Sequence, residues 1–176
     1  MLRILAILLF VIIFVSFETS IFPFFSLFGV TPDLLLILVV IWGLLRGSKE
    51  AALLGFVVGI IEDILSSTLY FHALSKCLIG LGSGIFAQTL TGVGPFLGIV
   101  MVSIMTAASF FIDGVLLYFF LGHPVPQFLS LSIILFLSII YNSLLTPIVY
   151  PIVKAFSLRL GEPEVSESFP LIRRNL

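Results

Sequence analysis

The sequence predicts an all-α polytopic membrane protein with six transmembrane helices and both termini in the cytoplasm, and three observations lead there. Hydrophobic residues fill 60% of the 176 positions and charged residues only 10%, whereas a soluble domain carries roughly 25% charged residues. Too few polar side chains remain to cover a water-facing surface. Mean hydropathy stays at +1.32 over the whole chain, and since each crossing needs about 20 apolar residues, six crossings consume most of the length. Finally, a cytoplasmic N-terminus puts Arg3, Arg46, Lys49, Lys154, Arg159, Arg173 and Arg174 inside and leaves only Lys76 near the outer face. That asymmetry is what the positive-inside rule requires.

The apolar runs place helices over 4–22, 31–46, 50–66, 72–91, 95–121 and 127–153, giving one transmembrane domain over 1–156 and a short cytoplasmic tail over 157–176. The first run, Ile4 to Phe17, ends at Glu18-Thr19 without the small-x-small pattern that signal peptidase reads, so it is expected to stay in the membrane. Thr31-Pro32-Asp33 opens the second helix with an N-cap hydroxyl, a proline at the first helical position and a carboxylate in the first turn. The second and third helices are short. The stretch from Ala51 to Ile61 covers only about 17 Å, which leaves a re-entrant hairpin as an alternative. Arg46 and Lys49 in the intervening turn favour two full spans, because two cations in mid-bilayer are expensive. Gly122, Pro124 and Pro126 break the chain between helices five and six, and Trp42, Tyr70, Tyr118 and Tyr150 fall near the expected interfaces. Cys77, the single cysteine, reads as a small packing residue.

Ionisable groups within a bilayer need a partner, a proton or water. Glu18, Glu62, Asp63 and Asp113 fall in the outer half with Lys76 at comparable depth, and one short loop separates Lys76 from the Glu62-Asp63 doublet. An ion pair of Lys76 with Glu62 or Asp63 is expected; the alternative is that these charges sit close enough to headgroups to be wet and merely end helices. Gly55, Gly59 and Asp63 recur every four residues on one helix face, a GxxxG spacing closed by a carboxylate. Helix four carries Ala73, Cys77, Gly80, Gly84 and Ala87 at spacings of three and four, so helices three and four are expected to pack through these faces. Asn142 lies mid-membrane ahead of Pro147 and Pro151, whose freed carbonyls are candidate acceptors for its amide. It reads as an interhelical polar clamp more readily than as a ligand site.

Several chemistries lack their residues. A net charge of −1 without a clustered basic surface gives no case for nucleic acid. His72 and His123 are expected in outer loops and show no metal-ligand spacing. There is no phosphate-binding Gly-Lys-Ser/Thr loop, and Gly82-Ser83-Gly84 is too short for a nucleophile elbow. No cofactor and no catalytic residue is expected; Asp63 with Asp113 as an intramembrane hydrolase pair has no supporting motif.

Read in order, Pro32-Asp33-Leu34-Leu35-Leu36, Arg46-Gly47, Gly55 through Gly59-Ile60-Ile61-Glu62-Asp63, His72-Ala73-Leu74, and Tyr141-Asn142-Ser143-Leu144-Leu145-Thr146-Pro147 with Tyr150-Pro151 resemble the rod shape-determining MreD family. The resemblance spans nearly the whole chain. It departs from the family at Glu62, where an apolar residue is usual before the aspartate, and at Ser75-Lys76, where a charge enters an apolar stretch. The resemblance implies a non-enzymatic membrane component of the bacterial elongation machinery that builds lateral peptidoglycan. It also implies association with the bitopic protein MreC, with RodA and its class B penicillin-binding partner, and indirectly with MreB filaments. On that reading the small-residue grooves of helices three and four, bordered by Asp63, receive the membrane helix of MreC. The rival is the substrate-binding component of an energy-coupling-factor vitamin transporter, which has a similar fold. Its usual Ala-x-x-x-Ala motif is absent, since Phe10 follows four residues after Ala6. The outer carboxylates and Asn142 would then line a small-molecule pocket.

Overall fold

The computed structural model describes residues 2–26, 29–66, 71–89, 92, 94–121 and 128–161. Among them the chain is all-helical: α1 (Leu2–Ser20), α2 (Leu34–Arg46), α3 (Ser48–Ser66), α4 (Phe71–Gln88), α5 (Pro95–Leu121) and α6 (Phe128–Arg159), with a 3-10 turn at Phe22–Phe25 after α1. Segments Arg3–Ser20, Pro95–Phe120 and Ser132–Arg159 are long and apolar enough to cross a membrane, and α2 is a shorter apolar helix. This architecture is compatible with a membrane protein. Tyr70, the break at Gly122, Pro124 and Pro126, His123 and the tail beyond Gly161 lie outside the described residues.

The shortest helix occupies the centre. Every residue of α2 from Leu34 to Leu44 is buried, and a helix that is apolar on all sides is stable only when other elements surround it. α3, α4, α5 and α6 pack around it, while α1 touches it more lightly through Val11 and Phe14. Trp42 and Tyr150 are therefore core residues, 1% and 4% exposed, and not the interfacial anchors expected of them; Tyr118 alone of the three is exposed. The Trp42 ring lies beneath the Arg46 guanidinium, 5.6 Å from centroid to carbon, and beside Phe156.

Two further boundaries differ from expectation. The cap of α2 is Asp33, whose carboxylate accepts from Leu36 N at 2.6 Å, so Pro32 precedes the cap and the Thr31 hydroxyl is not the capping group. An aspartate three residues ahead of the donating N–H satisfies that orphan donor with a full charge. At the other end of the chain α6 runs to Arg159, past the expected stop at 153. Its last turns are tied in, because Phe156 stacks on Phe10 at 4.0 Å and the Ser157 carbonyl accepts from Arg46. Pro147 and Pro151 sit inside this helix.

α3 and α4 form the most extensive contact in the molecule, through the expected glycines. Gly55 faces the Lys76 carbonyl, Gly59 faces Ala73 and the His72 carbonyl, Gly80 faces the Ala51 carbonyl, and Gly84 faces the Gly47-Ser48 turn. A Cβ at any of the four would overlap backbone atoms, which have no rotamer with which to yield. The stripe is thus occupied within the bundle. A groove open to a partner helix, as the sequence suggested for these glycines, is not present on this face. Gly82 differs, with only the flexible end of Met105 at 3.7 Å. We expect Gly80→Ala to destabilise the protein by about 1–3 kcal/mol through overpacking and Gly82→Ala to leave it near wild type, read as melting temperatures in detergent.

Candidate functional site

Four short backbone segments meet at the upper end of α2, and each brings a polar group. Lys76 enters from the second turn of α4 and is 2% exposed; its Nζ lies 2.8 Å from Asp33 Oδ2 and 2.5 Å from Glu62 Oε2. Of the two partners expected for Lys76, the structure therefore selects Glu62 and adds Asp33. Glu18, at the end of α1, accepts from Leu35 N at 3.0 Å. Carboxylate oxygens of Glu18, Asp33 and Glu62 lie within 4.8 Å of one another. Three carboxylates at that spacing have the donor set of a metal site, but the Lys76 ammonium already occupies the cation's place against two of them. The adjoining cleft between α1 and α3 has a volume of about 210 Å³ and is lined by Val15, Glu18, Thr19, Leu35, Glu62 and Leu65.

Asp63 performs a different task from its neighbour. It is fully buried, and its Oδ1 accepts from His72 N at 3.1 Å while Oδ2 accepts from Ala73 N at 3.0 Å. The His72 Nδ1 lies 2.8 Å from the same Oδ1. A carboxylate from α3 thus caps the first turn of α4, where free N–H groups and the helix dipole favour an anion. The expectation of Asp63 as a possible Lys76 partner is corrected: adjacent helical residues point about 100° apart, so only one of the doublet faces Lys76. His72 belongs to the first turn of α4 and not to a loop.

Asn142 closes the site from α6. Its Oδ1 accepts from Asp33 N at 2.9 Å and its Nδ2 donates to Thr106 Oγ1 of α5 at 3.0 Å. The polar clamp is present, but its partners are α2 and α5 and not the carbonyls freed by the prolines. Those belong to Ser143 and Pro147, four residues before each proline, and the Asn142 amide instead reaches across to Thr106. Asp113 is separate from this cluster; it accepts from Ser109, which in turn bonds Ser75 of α4 at 3.2 Å. Asp63 accepts from His72 N and Ala73 N and Asp113 from Ser109.

Sequence reasoning missed Asp33 as a partner of Lys76 and Arg46 as a buried group. Arg46 has a fully enclosed side chain at the opposite end of α2, held by Glu50 at 2.6 Å, the Ser157 carbonyl at 3.2 Å and the Gly161 carbonyl at 3.1 Å. Glu50 also pairs with Arg3 at 2.7 Å. Helix length held the signal for Asp33: 13 residues above Arg46 is about 20 Å, short of a hydrocarbon core of about 30 Å, so a carboxylate there needs a cation. Comparison with models of known protein families, with curated proteins and with solved structures finds no match.

Removing Lys76 leaves Asp33 and Glu62 facing each other with no cation, and breaking a buried pair costs about 3–5 kcal/mol. Lys76→Met is expected to lower the melting temperature in detergent sharply. A double-mutant cycle with Glu62→Gln should return a coupling of about 0.5–3 kcal/mol, while Asp113→Asn combined with Lys76→Met should give additive losses.

Proposed function

We propose that this chain is a six-span, multi-pass scaffold of the bacterial inner membrane, of MreD type, that binds MreC through membrane helices and supports lateral peptidoglycan synthesis and cell shape without catalysing a reaction. One observation carries the reading. Segments that carry the resemblance meet in pairs at one end of the bundle: Asp33 of α2 bonds Asn142 of α6, and Asp63 of α3 caps His72-Ala73 of α4, with the ion pairs of Lys76 to Asp33 and Glu62 joining the two. Residues far apart in the chain then have one shared structural reason to occur together. The two departures from the family pattern also account for each other, since Glu62 and Lys76 are ion-paired. Asp63 keeps its capping role beside them.

The orientation follows from charge. Arg3, Arg46, Lys49 and Arg159 collect at one end of the bundle with Glu50 as their acidic neighbour, and the positive-inside rule assigns that end to the cytoplasm. All six helices then lie in the membrane, with the Lys76 cluster at the outer end of the short α2. Because the glycine stripe is used internally, MreC meets an outward apolar face and not the α3–α4 seam. Gly59→Leu would release MreC by separating α3 from α4. RodA and its penicillin-binding partner join through that assembly, and MreB more distantly.

The transporter alternative needs a ligand pocket, and the cleft of about 210 Å³ beside the carboxylates is below the roughly 300–1,000 Å³ typical of small-molecule sites. Purification of the tagged chain from its own membranes in mild detergent discriminates the readings. The scaffold predicts co-purification of a single-spanning elongation protein, and rounding of cells on depletion. Co-purification of transport ATPases, with a rise in melting temperature on adding a vitamin, would replace it with the transporter reading.

A further inference from the structure

α1 and α3 run side by side over α2 without closing against each other, and an apolar cleft of about 410 Å³ remains between them. Ile4, Ile7 and Leu8 form one wall, Leu53 and Val57 the other, and Trp42 lies at its floor. The far side of α1 is closed by the Phe10–Phe156 stack. Arg3 and Glu50 stand at one mouth of the cleft, and the charge there is one-sided. Arg3 is 41% exposed, Lys49 is exposed in the first turn of α3 one residue before Glu50, and Arg46 lies behind, against the single carboxylate of Glu50. Arg3 spends one nitrogen on Glu50, leaving most of its five N–H donors available.

We propose that this cleft binds one anionic phospholipid of the inner leaflet, its acyl chain lying between α1 and α3 over Trp42 and its phosphate meeting Arg3 and Lys49. Shape selects the chain over a partner helix. α1 is tied down near both ends, to α3 by Arg3–Glu50 and to the start of α2 by Glu18, which accepts from Leu35 N. A helix about 10 Å across does not enter between walls so joined, whereas a hydrocarbon chain does. Charge selects the headgroup, because each juxtamembrane cation draws an anionic lipid by electrostatic attraction that is lost for a zwitterion. The bound chain fills a void that otherwise deprives α1 of contacts on one side, so the lipid fastens the most lightly held helix of the bundle.

The inference rests on the membrane reading and not on the identity of any protein partner. The full chain is purified in mild detergent, exchanged into nanodiscs of phosphatidylcholine or phosphatidylglycerol, and examined by native mass spectrometry and thermal unfolding. Wild type should retain phosphatidylglycerol in preference to phosphatidylcholine by roughly tenfold and melt higher in its presence. Leu53→Trp, which fills the cleft and leaves the charges alone, should abolish retention of both lipids while the protein remains folded. Arg3→Gln with Lys49→Gln should make the two lipids equivalent. Equal retention of both lipids by wild type, or unaltered retention by Leu53→Trp, would overturn the proposal. So would crosslinking of the Leu53→Cys variant through position 53 to a protein helix in native membranes. A chain that is folded and monodisperse in plain buffer would instead remove the membrane reading itself.

Discussion

A buried lysine sets the terms for this molecule. An ammonium enclosed by protein in a low-dielectric medium carries a large desolvation cost, and its attraction to anions offsets that cost only where geometry brings them into contact. Lys76 meets this condition by drawing Asp33 from the start of α2 and Glu62 from α3 to within ion-pair distance. Because Asp33 also caps α2 and holds Asn142 through its N–H, the position of α6 depends on the same ammonium. The apolar packing is non-directional and tolerates sliding. The charged cluster does not, and so fixes the relative heights of α2, α3, α4 and α6.

The second constraint lies at the opposite end of α2, where Arg46 is buried against Glu50 and the last carbonyls of α6. Cations near a helix C-terminus are favoured by the dipole, and this one serves two such ends together. α2 is thereby pinned at both termini by charge while its middle is held by burial on all sides. Between the pins, the glycines of α3 and α4 bring two backbones into direct contact, which supplies van der Waals attraction with no side chain between them. α1 has neither device along its length and is held by Val11, Phe14 and the Phe10–Phe156 stack in its middle and by polar contacts near its two ends.

Much of this was legible in the sequence. The number and order of helices followed from the apolar runs, although α2 starts later and α6 ends later than those runs imply, and Gly55, Gly59, Gly80 and Gly84 announced a close helix pair because a spacing of four keeps residues on one face. The doublet Glu62-Asp63 signalled a polar site without revealing its division of labour, since a one-residue difference on a helix decides which carboxylate meets the ammonium and which meets the α4 N-terminus. Trp42 and Tyr150 misled because aromatic residues near helix ends occur both in cores and at interfaces, and composition does not separate them. Asp33 read as a first-turn carboxylate behind a Thr31 cap; the shortness of α2 signalled that it needs a cation, but its distance in sequence from Lys76 carries no information about which cation that is. Whether a small-residue face meets a helix of the same chain or another protein is likewise a tertiary fact.

The account stands on the Lys76 ammonium being held by carboxylates of two different helices. Solid-state NMR on the protein in lipid bilayers, with ¹⁵N at the lysine side chains and ¹³C at the Asp and Glu carboxylates, measures this through dipolar recoupling. The account predicts strong dephasing of the Lys76 Nζ signal that weakens in stages when Asp33→Asn and Glu62→Gln are introduced one after the other. A Lys76 signal with no carboxylate dephasing and rapid exchange with water would contradict it.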